Sequence, residues 1–224
     1  LECVEASDSL LVRWYEQMLQ ATRDEQEQLR PELPLWDALN VRYCLTPREP
    51  GGRWQSAGSF ETNLYENTAA LPRFYSPAHV RSVGSSSEAM RHVTSPDFGP
   101  ADELVMVGDL APDQGEFATG EIIEWAPNRL TARATQSCRW WVLADSFYPG
   151  WHAFAGGEEL PIMPADYALR GVYVPEGAEE IDFIYYPASY ALGAFLTALG
   201  FGVMAFVMVL SWRRRTGGAG AVTA

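Results

Sequence analysis

Between Ala188 and Trp212 the chain has no Asp, Glu, Lys, Arg or His, and Arg213, Arg214 and Arg215 follow at once. A helix of these 25 residues, at ~1.5 Å rise each, covers the ~30 Å hydrocarbon core of a bilayer with room for tilt. Tyr185, Tyr186 and Tyr190 stand at one end and Trp212 at the other, where amphipathic rings favour the headgroup layer. Arginines next to a span mark its cytoplasmic end. Residues before Ala188 are therefore expected outside the cytoplasm and the tail inside it. The alternative is a buried core helix, which is rarely this long or this cleanly flanked.

All 16 basic residues are arginine, and the part before the run carries 13 of them against 29 acids, a net charge near −16. Such a surface repels nucleic acid and anionic headgroups, so nucleic acid is excluded as a partner. Cys3, Cys44 and Cys138 are odd in number and widely spaced. They fit neither a full disulfide framework nor a metal cluster, and leave one disulfide open. His79, His92 and His152 are scattered and read as surface or packing residues. No cofactor or metal is expected.

Residues 1–30 hold neither an export signal nor a span, so we expect the chain to be the C-terminal part of a larger membrane protein. Its partners would be the bilayer and the other transmembrane helices of that protein. Ala194, Ala198 and Gly202 repeat at the spacing that lets membrane helices pack closely.

Leu10, Leu11, Trp14, Tyr15, Met18 and Leu19 recur at helical spacing, so residues 9–30 read as an amphipathic helix stopped by Pro31. Pro34 opens a helical turn through Leu39. Strands follow at Val41–Thr46, Phe60–Glu66 and Leu71–Tyr75, with residues 47–59 read as a loop. Ser85–His92 suits a helix with a serine N-cap, and Glu103–Val107 a strand. From Gly115 on the pattern is β-only: Glu116–Trp125, Arg129–Ser137, Trp140–Asp145, His152–Ala155, Leu160–Met163, Ala168–Val174 and Glu179–Tyr185. The fold class is α+β. A small mixed region, 1–112, precedes an antiparallel, jelly-roll-like β-sandwich, 113–187, then the transmembrane helix, 188–212, and a short tail, 213–224.

No enzyme signature is present, and no catalytic residue is assigned. Glu158-Glu159 and Glu179-Glu180 are adjacent on strands and point to opposite faces, so neither pair works as acid and base. The densest chemical signal runs from Asp145 to Trp151 and from Ala165 to Val172. Trp151, Tyr148 and Tyr167 beside Asp145 and Arg170 make a candidate glycan site. There rings stack on the apolar face of a pyranose and charged groups bond its hydroxyls. The structural alternative, which we weigh more heavily, has Trp151 capping the core and Asp145 pairing with Arg170 to pin two turns.

The run Ala144–Trp151, then Pro164 to Tyr173, Val174–Gly177 and Phe183–Pro187 resembles the C-terminal end of YfhO-like bacterial membrane proteins. Ala38–Thr46, Tyr65–Asn67 and Ala70–Tyr75 fit the same family, so the resemblance covers about residues 10–212. It implies a polytopic membrane protein related to the GT-C class, whose members move sugars from lipid-linked donors onto cell-envelope glycans. In that class the catalytic acid lies in a multi-span region upstream, so this chain would be non-catalytic by itself. Family members often have an Asp-Gly turn where this chain has Gly156-Gly157, which puts a role for that Asp in doubt. The expectation is an extracytoplasmic portion that shapes the outward site of a lipid-linked-sugar glycosyltransferase. The alternatives are a membrane-tethered carbohydrate-binding module and a structural or partner-docking scaffold.

Overall fold

Helix α1 (Arg13–Ala21) turns Tyr15, Met18 and Leu19 onto the core, Met18 without any exposed surface. It stops well before Pro31, because the Thr22 hydroxyl donates to the Leu19 carbonyl at 2.6 Å. Such side-chain bonds compete with the helix ladder. The Arg30 N–H then returns to the Thr22 carbonyl, so the chain reverses where a helix through residue 30 was expected. The computed structural model describes residues 13–24, 28–59, 62–110, 114–137 and 139–217, without the side chains of 188, 191 and 213–217. Leu10, Leu11, Cys3, Cys138 and the tail beyond 217 lie outside the described residues.

Pro34 opens α2 (Leu35–Ala38), all four of whose residues are buried. Strands β1 (Tyr43–Thr46), β2 (Trp54–Ser59) and β3 (Asn63–Asn67) form an antiparallel sheet in the order β1-β3-β2. Strand β2 occupies the expected loop. It is an edge strand with Trp54 as its sole buried residue, so its composition reads as polar loop. Asp37 ties this sheet to α2 by accepting from Asn67 Nδ2 at 2.8 Å and pairing with Arg53. Burial pushes the Asp37 carboxyl above its usual range, against the pull of Asn67 and Arg53.

Next come β4 (Phe74–Ser76), β5 (His79–Val83), α3 (Ser86–Val93) and β6 (Glu103–Val107). Strands β5 and β6 pair in parallel across α3. Strand β5 was missed in the sequence. At the N-terminus of α3 the Ser85 side chain accepts from the Glu88 N–H at 3.2 Å, while Glu88 Oε2 accepts from the Gly84 N–H at 2.9 Å. This reciprocal cap is why the helix starts there.

The remaining strands are β7 (Ala118–Thr119), β8 (Glu121–Ala126), β9 (Arg129–Arg133), β10 (Arg139–Ser146), β11 (Trp151–Ala155), β12 (Glu158–Leu160), β13 (Ile162–Ala165), β14 (Leu169–Val174) and β15 (Glu180–Tyr185). A seven-stranded sheet runs β5-β6-β13-β14-β10-β4-β7 and a five-stranded sheet β12-β11-β15-β9-β8. The seven-stranded sheet is the middle layer. Its interior strand β10 sends Trp140 and Val142 into one cluster, with Met18, Trp36 and Leu104. Trp141 and Leu143 go into the other, with Ile181 and Phe183 of β15. Burial on both faces gives β10 a continuous apolar run. In β15 the alternation holds as expected, Ile181 and Phe183 facing inward.

This layering removes the boundary expected at residue 112. Strands β4, β5 and β6 from before it share a sheet with β10, β13 and β14 from after it. The described residues up to Tyr185 form one compact unit. The α+β, sandwich-like class stands. Between β7 and β8 the chain passes from one sheet to the other at Gly120, where a Cβ would lie 2.4 Å from the Phe74 ring and 2.6 Å from the Arg133 carbonyl.

The second unit starts at Tyr186. It contains α4 (Ala188–Gly217), within which Leu192–Trp212 is long and apolar enough to cross a membrane. The described side chains of the span are exposed within its own unit.

Candidate functional site

Strand β10 pairs with β14 from Arg139 to Leu143 and again at Ser146, with a register shift between. The shift falls at Ala144 and Asp145, where a bulge redirects side chains. Asp145 forms an ion pair with Arg73, just ahead of β4, and stands 3.6 Å from Arg170 Nη1 on β14. Arg170 is buried, and its Nε donates to the Ser146 carbonyl at 3.0 Å. Burial pulls its guanidinium down to about 10; Asp145 opposes that and Arg73 adds to it. It stays cationic at neutral pH.

Each arginine also covers a tryptophan. Arg73 Cζ lies 3.9 Å from the Trp125 ring centroid and Arg170 Cζ 4.0 Å from that of Trp151. Such stacks contribute about 0.5–2 kcal/mol each, more when desolvated. One face of Trp151 is thus occupied from within. Its ring also meets Tyr185, its cross-strand partner, at 5.4 Å, and Tyr185 meets Tyr148 at 6.1 Å.

The outer side of this cluster is open. The turn Tyr148-Pro149-Gly150 carries Gly150 at φ +101°, which a side chain would disfavour. It leaves Tyr148 45 % exposed and Trp151 half-buried. Tyr148, Trp151, His152, Glu159 and Leu160 line a groove of about 370 Å³. In it His152 Nδ1 and Glu159 Oε1 are 2.7 Å apart. The hairpin from β11 to β12 makes this pair possible. Ala155 faces Glu158 across a two-residue turn with Gly156 at φ +58° and Gly157 at φ +90°. Both positions need positive φ, which the Gly-Gly pair meets without an Asp.

Of the five residues expected to converge, the structure brings together Asp145, Arg170, Trp151 and, through Tyr185, Tyr148. Tyr167 is elsewhere: its hydroxyl donates to Gln17 Oε1 at 2.8 Å, and its ring lines a different cavity beside Trp14. Asp145 and Arg170 stand behind Trp151 rather than beside it. The sequence reading missed His152, Glu159, Arg73 and Trp125.

The histidines are less scattered than their spacing suggests. His92 Nε2 lies 2.7 Å and His79 Nε2 3.9 Å from the buried Glu103, which also bonds Arg81. Burial raises the Glu103 carboxyl, but hydrogen bonds from Arg81 and His92 outweigh it and hold the group below its usual range. Asp166 is the opposite case. It is fully buried, with burial pushing its carboxyl up to about 7 despite the Val105 N–H, which donates to Oδ1 at 2.8 Å. Cys44 is buried as a free thiol, raised by burial. Among the described residues no group of three or more His, Cys, Asp or Glu could hold a metal ion.

Fold and site together define an α+β domain, sandwich-like in its layering, that continues into a helix apolar and long enough to span a membrane. No family model and no curated protein matches the chain. Among solved structures it is similar to the arabinofuranosyltransferase AftD from Mycobacteria, at 21% identity and a TM-score of 0.30 over 46% of this chain. A point mutant of AftD gives 23% identity and the same score over the same share. The chain spans 8% of the length of that protein.

Proposed function

We propose that this chain is a membrane-anchored, non-catalytic domain that holds a glycan in the groove between Tyr148 and Glu159. The groove carries the reading. It sets an exposed Tyr148 beside Trp151, with a charged or hydrogen-bonding edge at His152 and Glu159. Rings of this kind bind the apolar face of a sugar, and a carboxylate accepts from its hydroxyls. Leu192–Trp212 would be the anchor, with the domain outside the cytoplasm and Arg213–Arg215 inside. The motifs that resemble those of YfhO-like proteins extend the proposal: the chain would be the C-terminal portion of a polytopic glycosyltransferase for cell-envelope glycans, with its catalytic acid upstream.

A second reading, the scaffold, draws on the Arg73–Asp145–Arg170 pin. Arg170 occupies one face of Trp151 and gives that ring a supporting role. Saturation-transfer NMR on the detergent-solubilised chain, against envelope glycan fragments and lipid-linked sugar phosphates, separates the two. The glycan reading expects transfer to one class, reduced in Tyr148→Ala and in Glu159→Gln, with unfolding unchanged. No transfer to any glycan, or transfer indifferent to both substitutions, leaves the scaffold.

A further inference from the structure

The turn from β13 to β14 builds a second cavity, apart from the groove. Asp166 and Tyr167 both adopt left-handed backbone, φ +45° and +74°, a conformation uncommon for residues with side chains and rarer still in succession. Asp166 is locked there. Its N–H donates to the Val105 carbonyl at 2.9 Å and its Oδ1 accepts from the Val105 N–H at 2.8 Å, so a side chain stands in for a strand partner. Strain of this kind persists only where surrounding bonds fix it, and it concentrates at ligand clamps.

Strain here orients Tyr167 as one wall of a cavity of about 310 Å³. Trp14 is the facing aromatic lining residue, Val105, Val107 and Pro164 are the aliphatic ones, and Ser86 supplies the single aliphatic hydroxyl. Both rings are fixed before anything binds. Tyr167 donates its hydroxyl proton to Gln17, and Trp14 stacks on Phe147 at 5.5 Å with 7° between the ring planes. Preset rings bind without the cost of ordering them.

We propose that this cavity is a binding site for a compact hydrocarbon group, an aryl ring or a branched aliphatic one. The volume is about twice the roughly 150 Å³ of an apolar cavity that takes up benzene. Its polar groups are too few for a sugar, whose inward hydroxyls would lose water without gaining partners. A hydrocarbon loses nothing there and gains contact with the rings of Trp14 and Tyr167 and the apolar side chains of Val105, Val107 and Pro164.

The test is photolabelling of the full chain in phosphatidylcholine nanodiscs with a neutral aryl diazirine, followed by peptide mapping, which separates this site from labelling of α4. Adducts are expected on the peptides holding Trp14 and Tyr167. They should be suppressed by toluene, untouched by methyl glucoside, and reduced several-fold by Ser86→Trp or, inside the cavity, Val107→Phe. The absence of adducts on both peptides overturns the site, as does labelling that neither filling variant reduces. Protection by the glucoside but not by toluene overturns the ligand class. Because Tyr148 and Glu159 are not involved, failure here leaves the groove untested, and failure of the groove leaves this cavity standing.

Discussion

Two carboxylates at the same end of the seven-stranded sheet meet opposite environments. Asp145, at the end of β10, sits between two guanidiniums, each laid on a tryptophan. Asp166, in the turn after β13, has no cation within ion-pair reach among the described residues and takes its one side-chain bond from a backbone N–H. The first corner is tied by charge and opens outward into a groove. The second is tied by backbone geometry and encloses a cavity. Sequence position alone, one acid near a turn in each case, distinguishes neither. The partners that decide it come from Arg73 and Val105, 72 and 61 residues away.

The largest effect should come from removing the charge that holds the first corner. Asp145→Ala leaves Arg170 buried beside Arg73 with no carboxylate. Unfolding should become easier by about 3 kcal/mol, as when a buried pair loses one partner. A double variant with Arg170→Met should recover part of the loss in denaturant titrations. If Asp145→Ala proves as stable as the wild type, the pin is not what holds the corner.

The second corner should respond to pH through Asp166. The Asp166 carboxyl titrates near 7 in the fold against about 3.9 unfolded. Between those values the folded state binds the extra proton, so this group's contribution is full below pH ~4 and falls by about 1.4 kcal/mol per unit up to 7. Glu103, held below its usual range, acts with the opposite sign: its contribution is present above the unfolded value and lost on acidification. Asp166→Asn keeps an oxygen for the Val105 N–H and should flatten the decline between pH 5 and 7 in urea midpoints. An unchanged slope in that variant assigns the titration to another group.

A smaller change separates packing from recognition within the groove. Trp151→Ala removes a half-buried ring that touches Arg170 and Tyr185. It should cost about 2 kcal/mol in unfolding whether or not a glycan binds. Tyr148→Ala, at an exposed position, should stay within about 0.5 kcal/mol of the wild type. Equal destabilisation by both would make the groove part of the core.

Much of the fold was legible because it rests on local signals. The Ser85 cap, the apolar run of β10, the alternation in β15 and the uncharged stretch of α4 each follow from neighbouring residues. Strand β2 was not legible, since an edge strand with one buried residue looks like a loop. The false boundary at 112 has a similar cause: which strands join a sheet depends on pairings between distant segments such as β4 and β10. The proximity of Asp145, Trp151 and Arg170 was legible from their turns, whereas Tyr167 lies elsewhere because two successive left-handed residues turn it away. His152 and Glu159 carried a readable signal. They lie diagonally across a two-residue Gly-Gly hairpin, where side chains seven apart in sequence meet.

The most direct test of the account is the affinity of the full chain, in nanodiscs, for whichever envelope glycan shows saturable binding, measured by calorimetry for the wild type and Tyr148→Ala. A stacked ring contributes about 0.5–1.5 kcal/mol, so the substitution should weaken binding by up to about tenfold while the melting temperature holds. An affinity unmoved by the loss of Tyr148, or a wild-type chain that binds no glycan at all, would contradict it.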